Sequence, residues 1–269
     1  MLGCAVTTPT EIVLGDLGVP TMRSRFARAR LGFAGAVQCM SEDRIASGCR
    51  ERVTPWNRMV SLVRNECGLS EQYGELHRGG NEEERAKRVK EWKALVRARV
   101  LEREQERWWD GLVKGKRSEV YRIVKDASGF EAYLASPEFL RGGLLRFKLR
   151  SGMLYLNDEV GRRSKKEKDR LCSLCVPDEV VEDAEHFLFV CPKLSSVRDT
   201  FVERLTRVCV KFNIPSLVNE WSNGNVSSRL CVVLGNCFDF YQKELHGDFS
   251  PGDVARDLRL ISNLFIMSL

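Results

Sequence analysis

Four residues constrain this chain more than any others: Cys172, Cys175, His186 and Cys191. They read C-x2-C, ten intervening residues, then H-x4-C. Zn2+ takes thiolate sulfur and imidazole nitrogen in a tetrahedron, and a closed Cys3His set keeps no open position for a substrate. A gap of two residues lets one tight turn aim both sulfurs at one ion, and the second pair must return across a short loop. The expected site is therefore structural rather than catalytic. Ten cysteines in 269 residues also allow a chance C-x2-C, since cysteine is a common small buried hydrophobe. Yet the chain has three histidines, His77, His186 and His246, and one of them falls beside a third cysteine just past the pair. A redox C-x-x-C would sit between the strand and helix of a βαβ unit. Here the basic Lys165-Lys166-Glu167-Lys168-Asp169-Arg170 precedes it and Asp178-Glu179 follows. Zn2+ is the expected cofactor; an accidental cluster or a redox pair is the alternative.

The hydrophobic content of 43% supports a core, and the charged content of 30% favours exposed helices over a large buried sheet. The run from Met1 to Pro9 lacks the basic leader and apolar stretch of a secretory signal. No apolar stretch reaches the roughly 18 residues a membrane span needs. An intracellular chain with reduced thiols is expected, nuclear or cytoplasmic. Cys4, Cys39, Cys49, Cys67, Cys209, Cys231 and Cys237 have no histidine at useful spacing and read as structural.

Charge is unevenly spread. Residues 141–170 hold ten Lys/Arg against four acids, so this stretch alone equals the net charge of +6 for the whole chain. Arg146, Lys148, Arg150, Arg162, Arg163, Lys165, Lys166, Lys168 and Arg170 lead directly into the first cysteine ligand. A basic stretch beside a small zinc module is the footprint expected for contact with the phosphates of RNA or DNA. An ordinary solvated, lysine-rich face is the plainer reading. Phe147, Tyr155 and Phe187 are the aromatic residues nearest to hand for stacking on unpaired bases.

The apolar periodicity is mostly helical. Met22, Phe26, Ala29, Phe33 and Val37 recur at helical steps among Arg23, Arg25, Arg28 and Arg30, which predicts an amphipathic helix with an arginine-rich outer face. Asn81 and Glu84 have capping-box spacing, and Val89, Trp92 and Val96 then form a stripe. Glu102 to Arg107 reads as a solvated helix surface, and Trp108 and Trp109 read as packing anchors. Leu194, Val197, Phe201, Leu205, Val208 and Phe212 form another face. Ser250, Pro251 and Asp253 open a last helix bearing Val254, Leu258, Ile261 and Leu264. The expected fold is mainly α, with helical segments flanking a small irregular Cys3His zinc module. The expected divisions are 1–80, 81–140, 141–212 (basic linker, zinc module and following helix) and 213–269.

The block from Phe139 to Arg198 resembles the zinc-binding segment that follows the reverse transcriptase in non-LTR (LINE-type) retrotransposon polyproteins. The resemblance rests on Leu144-Leu145-Arg146-Phe147-Lys148-Leu149-Arg150-Ser151-Gly152, Leu154-Tyr155-Leu156-Asn157 and Gly161-Arg162. It continues through Cys172-Ser173-Leu174-Cys175, Val181-Glu182-Asp183-Ala184-Glu185-His186-Phe187-Leu188, Cys191-Pro192 and Arg198, in that order. Leu17-Gly18-Val19-Pro20, the arginine-rich helix to Phe33, and Met40-Ser41-Glu42-Asp43-Arg44-Ile45 are similar to the stretch between such a polymerase's palm and its zinc region. The resemblance implies the tail of such a polyprotein, engaging template RNA or target DNA and associating with other retroelement proteins. The chain has no Asp-Asp pair of a polymerase palm and no clustered Asp, Glu and His of a nuclease, so only the zinc ligands carry over.

The function expected from sequence is a noncatalytic zinc-binding, nucleic-acid-binding tail of a reverse transcriptase-like protein, not an enzyme, with no membrane partner. The alternatives are a zinc-stabilised helical scaffold for protein interaction and a nonfunctional retroelement remnant.

Overall fold

The structure, a computed structural model, describes residues 8–40, 54–76, 81–115, 118–134, 140–175, 179–235, 241, 244 and 250–269. In chain order the helices are α1 (Thr10–Leu17), α2 (Met22–Gln38), α3 (Pro55–Glu66), α4 (Ser70–Gly74), α5 (Glu82–Lys114) and α6 (Glu119–Val124). They continue as α7 (Leu140–Arg150), α8 (Asn157–Ser164), α9 (Ser195–Phe212), α10 (Ser216–Asn223), α11 (Val226–Leu234) and α12 (Pro251–Ser268). Among the described residues there is no strand, only an isolated antiparallel bridge between Leu171 and Val181. The expectation of a mainly helical chain is met. The chain divides into two compact units, Val19–Gly111 and Met1–Gly18 with Leu112–Leu269.

In the unit of residues 19–111, the helix starts follow from their caps. Thr21 accepts from the Ser24 N–H at 3.2 Å and opens α2, and Thr54, just before Pro55, accepts from the Asn57 N–H at 3.1 Å and opens α3. At α5 the Asn81 side chain accepts from the Glu84 N–H at 2.9 Å and the Glu84 carboxylate accepts from the Asn81 N–H at 3.0 Å, a reciprocal capping box. The core joins Ala27, Leu31 and Ala34 of α2 to Val60 of α3 and to Trp92, Val96 and Val100 of α5.

Here α2 departs from the expectation. Met22, Phe26 and Phe33 are exposed, and the buried side is Ser24, Ala27, Leu31, Gly32, Ala34 and Gly35. The reason is Trp92, whose indole N–H donates to the Leu31 carbonyl at 2.8 Å. A Cβ on Gly35 would stand 2.0 Å from that indole nitrogen, so the helices approach on small residues. Nor is the polar run of α5 wholly solvated: Glu104 is buried and accepts from the Thr21 N–H. Trp108 is buried and Trp109 is exposed.

In the other unit α12 packs on α9 and α7, and α11 packs on α6 and α10. Phe201, Leu205 and Phe212 of α9 meet Leu258 and Phe265 of α12 in one core. Ser250 caps α12, accepting from the Asp253 N–H at 3.2 Å. A charged cluster lies in the same unit. Asp16 is fully buried and accepts from the Tyr121 hydroxyl at 2.7 Å and from the Tyr133 hydroxyl. Arg150 lies 3.6 Å from Asp16 and 3.2 Å from Glu131, and Lys125 pairs with the same two acids. Burial works against the charge of Arg150, but Asp16, Tyr133 and Glu131 outweigh it and raise its pKa. Burial also opposes the Glu131 carboxylate, but Arg150 and Lys125 outweigh it and hold its pKa below the usual value.

Candidate metal centre

The centre is built on α8. Asn157 at its start donates through Nδ2 to the Leu171 carbonyl at 2.8 Å, and the Asp158 N–H donates to the Glu182 carbonyl at 3.2 Å. The helix ends at Lys165 in the left-handed region, φ 57°, and a 3-10 turn, Glu167–Arg170, folds back against it. Gly161 makes that return close: a Cβ there would lie 2.2 Å from Arg170 Cγ. Buried Asp158 then accepts from Arg170 Nε at 2.8 Å and from Arg162 at 2.7 Å.

Leu171 next pairs with Val181. The Cys172 N–H donates to the Val180 carbonyl at 2.7 Å and the Glu182 N–H to the Arg170 carbonyl at 2.8 Å. Between them the Cys175 N–H closes on the Cys172 carbonyl at 3.3 Å, a tight knuckle that turns both sulfurs inward. The second pair comes from a π-helical turn, His186–Val190. Residues five apart in an α-helix stand about 140° round the axis from each other. Widening the turn to i→i+5, with the Cys191 N–H donating to the His186 carbonyl at 2.7 Å, brings them back to one side. The Asp183 carboxylate accepts from the His186 N–H at 2.8 Å and opens this turn. Arg198 donates to the Cys191 carbonyl and closes it.

Cys172, Cys175, His186 and Cys191 are all buried, with ligand atoms within 4.8 Å of one another. Cys175 Sγ lies 3.4 Å from His186 Nε2 and 3.5 Å from Cys191 Sγ. A tetrahedral ion with metal–sulfur bonds of about 2.3 Å and a metal–nitrogen bond of about 2.0 Å sets edges of about 3.8 Å and 3.5 Å. The residues therefore fit a metal ion. Burial, then hydrogen bonding to the Cys191 and Cys172 sulfurs, pushes the Cys175 thiol up to about 12. An entering dication must displace thiol protons, so its affinity rises with pH. The far ring nitrogen of His186, Nδ1, is buried with no hydrogen-bond partner among the described atoms. The turn that carries it is anchored by its neighbours: Leu188 belongs to the main core, and Phe189 meets Trp221 edge-to-face at 5.5 Å.

The basic residues of the sequence do not form one surface. Arg146 and Arg150 are interior groups. Arg146 donates to the Val233 carbonyl at 2.8 Å and lies over the Tyr133 ring, and Arg150 serves the Asp16–Glu131 cluster. Counting charge along the chain could not see those partners. Lys148 is half-buried, Arg162 is exposed though paired, and Arg170 is half-buried on Asp158. Lys165, Lys166 and Lys168 are exposed, and the side chain of Arg163 lies outside the described residues. Of the stacking candidates Phe147 is buried, Phe187 packs on the core, and Tyr155 is 63% exposed. His77, His246, Cys4, Cys49 and Cys237 lie outside the described residues. Cys39, Cys67 and Cys209 are buried, and burial pushes the Cys209 thiol up to about 12, which suits a packing role. No described helix is long and apolar enough to cross a membrane.

Comparison with known proteins returned no matching family model, no matching curated protein and no matching solved structure.

Proposed function

We propose that this chain is a noncatalytic, zinc-stabilised module that binds single-stranded RNA or DNA through α8 and the Glu167–Arg170 turn. The observation that supports it best is the tie between the buried Cys3His set and a cation-bearing helix, made through Asn157 and Asp158. Thiolate and imidazole ligands in a closed tetrahedron suit zinc, whereas calcium and magnesium take oxygen. Arg162, Lys165, Lys166 and Lys168 are exposed beside this set, in the order the resemblance to LINE-type zinc segments implies. With Arg146 and Arg150 withdrawn to the interior, residues 141–170 keep eight cations against four acids, which favours modest affinity.

Titration of a single-stranded oligonucleotide at increasing salt tests the reading. Each phosphate neutralised adds about 0.7 to the slope of log affinity against log salt. Changing Arg162, Lys165, Lys166 and Lys168 to Gln should flatten the slope by up to about three, at unchanged zinc content. Absence of binding at low salt, or binding indifferent to those four changes, would sink it.

A further inference from the structure

In the unit of residues 19–111, α2 and α3 form a surface of their own. On α2 Met22, Phe26 and Phe33 are 58%, 60% and 57% exposed. On α3 Trp56, Met59 and Leu62 are 42%, 43% and 63% exposed. Two contacts fix the register of the helices. Arg23 pairs with Glu66 at 2.6 Å, and the Phe33 ring meets the Trp56 ring edge-to-face, centroids 6.0 Å apart. The helices therefore run antiparallel, and Met59 and Leu62 fall alongside the stretch between Phe26 and Phe33. Isolated exposed apolar residues need no explanation, but six on adjoining faces of two packed helices mark an interaction surface.

Charge narrows the occupant. α2 carries Arg23, Arg25, Arg28 and Arg30 and no acidic residue; α3 adds Arg58 and Arg64 against Glu66. A second copy of the chain would bring the same arginines to the same face, and like charges in apposition are costly. Nucleic acid fits less well. Met22, Met59 and Leu62 have no ring to stack on a base, and Phe33 and Trp56 are nearly perpendicular, at 80°. Arg30 already covers the Trp56 ring, 5.3 Å from its centroid. Exposed Trp, Phe, Met and Arg together are the composition of a protein-binding patch. We propose that the α2–α3 face docks an amphipathic helical segment of another protein, one whose apolar stripe is flanked by aspartate and glutamate.

The test uses the full chain and a fluorescein-labelled acidic amphipathic helical peptide, with a control peptide in which lysine replaces every acid. The acidic peptide should bind and the lysine peptide should not. Phe26→Gln with Phe33→Gln should weaken binding by about tenfold or more. Met59→Gln with Leu62→Gln, on the other helix, should do the same. All four side chains are exposed, so circular dichroism should stay unchanged. Arg25→Glu with Arg28→Glu should weaken binding about tenfold at low salt and little at high salt. Equal binding of both peptides, or acidic-peptide binding indifferent to the Phe pair, overturns the proposal. So does Phe-dependent binding of an oligothymidylate or of phosphatidylserine vesicles without binding of the acidic peptide.

Discussion

Arg150→Gln separates an interior role for this arginine from a phosphate-contacting one. The side chain is 1% exposed, within 3.6 Å of Asp16 and 3.2 Å of Glu131, and lies over the rings of Tyr121 and Tyr133. Glutamine keeps a polar end but removes the charge, leaving Lys125 as the one cation paired with the two carboxylates among the described residues. Breaking a buried ion pair from one side costs about 3–5 kcal/mol. At about 2–4 °C per kcal/mol for a domain of this size, the melting midpoint should fall by roughly 6–20 °C. Thermal unfolding followed by circular dichroism reads this directly. Adding Glu131→Gln removes the stranded charge and should restore about half of the loss. Acid should narrow the gap. Against burial, Arg150 and Lys125 hold the folded pKa of Glu131 below the usual carboxylate value, so its stabilising contribution is present above that usual value and is lost as pH falls through the folded one. A midpoint within about 2 °C of the native protein, together with a flatter salt dependence of nucleic-acid binding, would refute the interior role.

The chain should hold about one zinc per molecule, as elemental analysis can show, since a single closed ligand set is described. His186→Ala, or chelation, should remove the metal while most helical dichroism survives, because α9 and α12 share a core that needs no ion. Gly161→Ala should lower the melting midpoint through an overpacking cost of about 1–3 kcal/mol, because its Cβ would meet Arg170 Cγ at 2.2 Å. Gly74→Ala, with nothing within 4 Å, should leave the midpoint unchanged or raise it.

Local chemistry was legible in the sequence. The capping box at Asn81 and Glu84, the cap at Ser250 and the four metal-ligand candidates all follow from spacing, because each involves groups within a few turns of chain. What spacing could not show depends on distant partners. Arg150 reads as one more cation in a basic run, and only folding brings Asp16 to it. The spacing of Met22, Phe26 and Phe33 places them on one helical face, but that face is exposed, against the rule that the larger apolar face is buried. Trp92 sits against Gly35, where a Cβ would not fit, and Ala27, Leu31 and Ala34 turn inward around it. The π turn at His186 was equally hidden: H-x4-C states a count, not which way two side chains point.

Asn157 carries no charge and no metal ligand, yet its bond to the Leu171 carbonyl fastens α8 to the knuckle. A substitution there leaves the charge and donor atoms of this surface untouched and alters only its stiffness. Ordering a loosened arm on association costs conformational entropy, while the count of displaced counterions stays the same. The pattern of cations and the rigidity with which it is presented are thus written in different residues, and each can drift in sequence without the other.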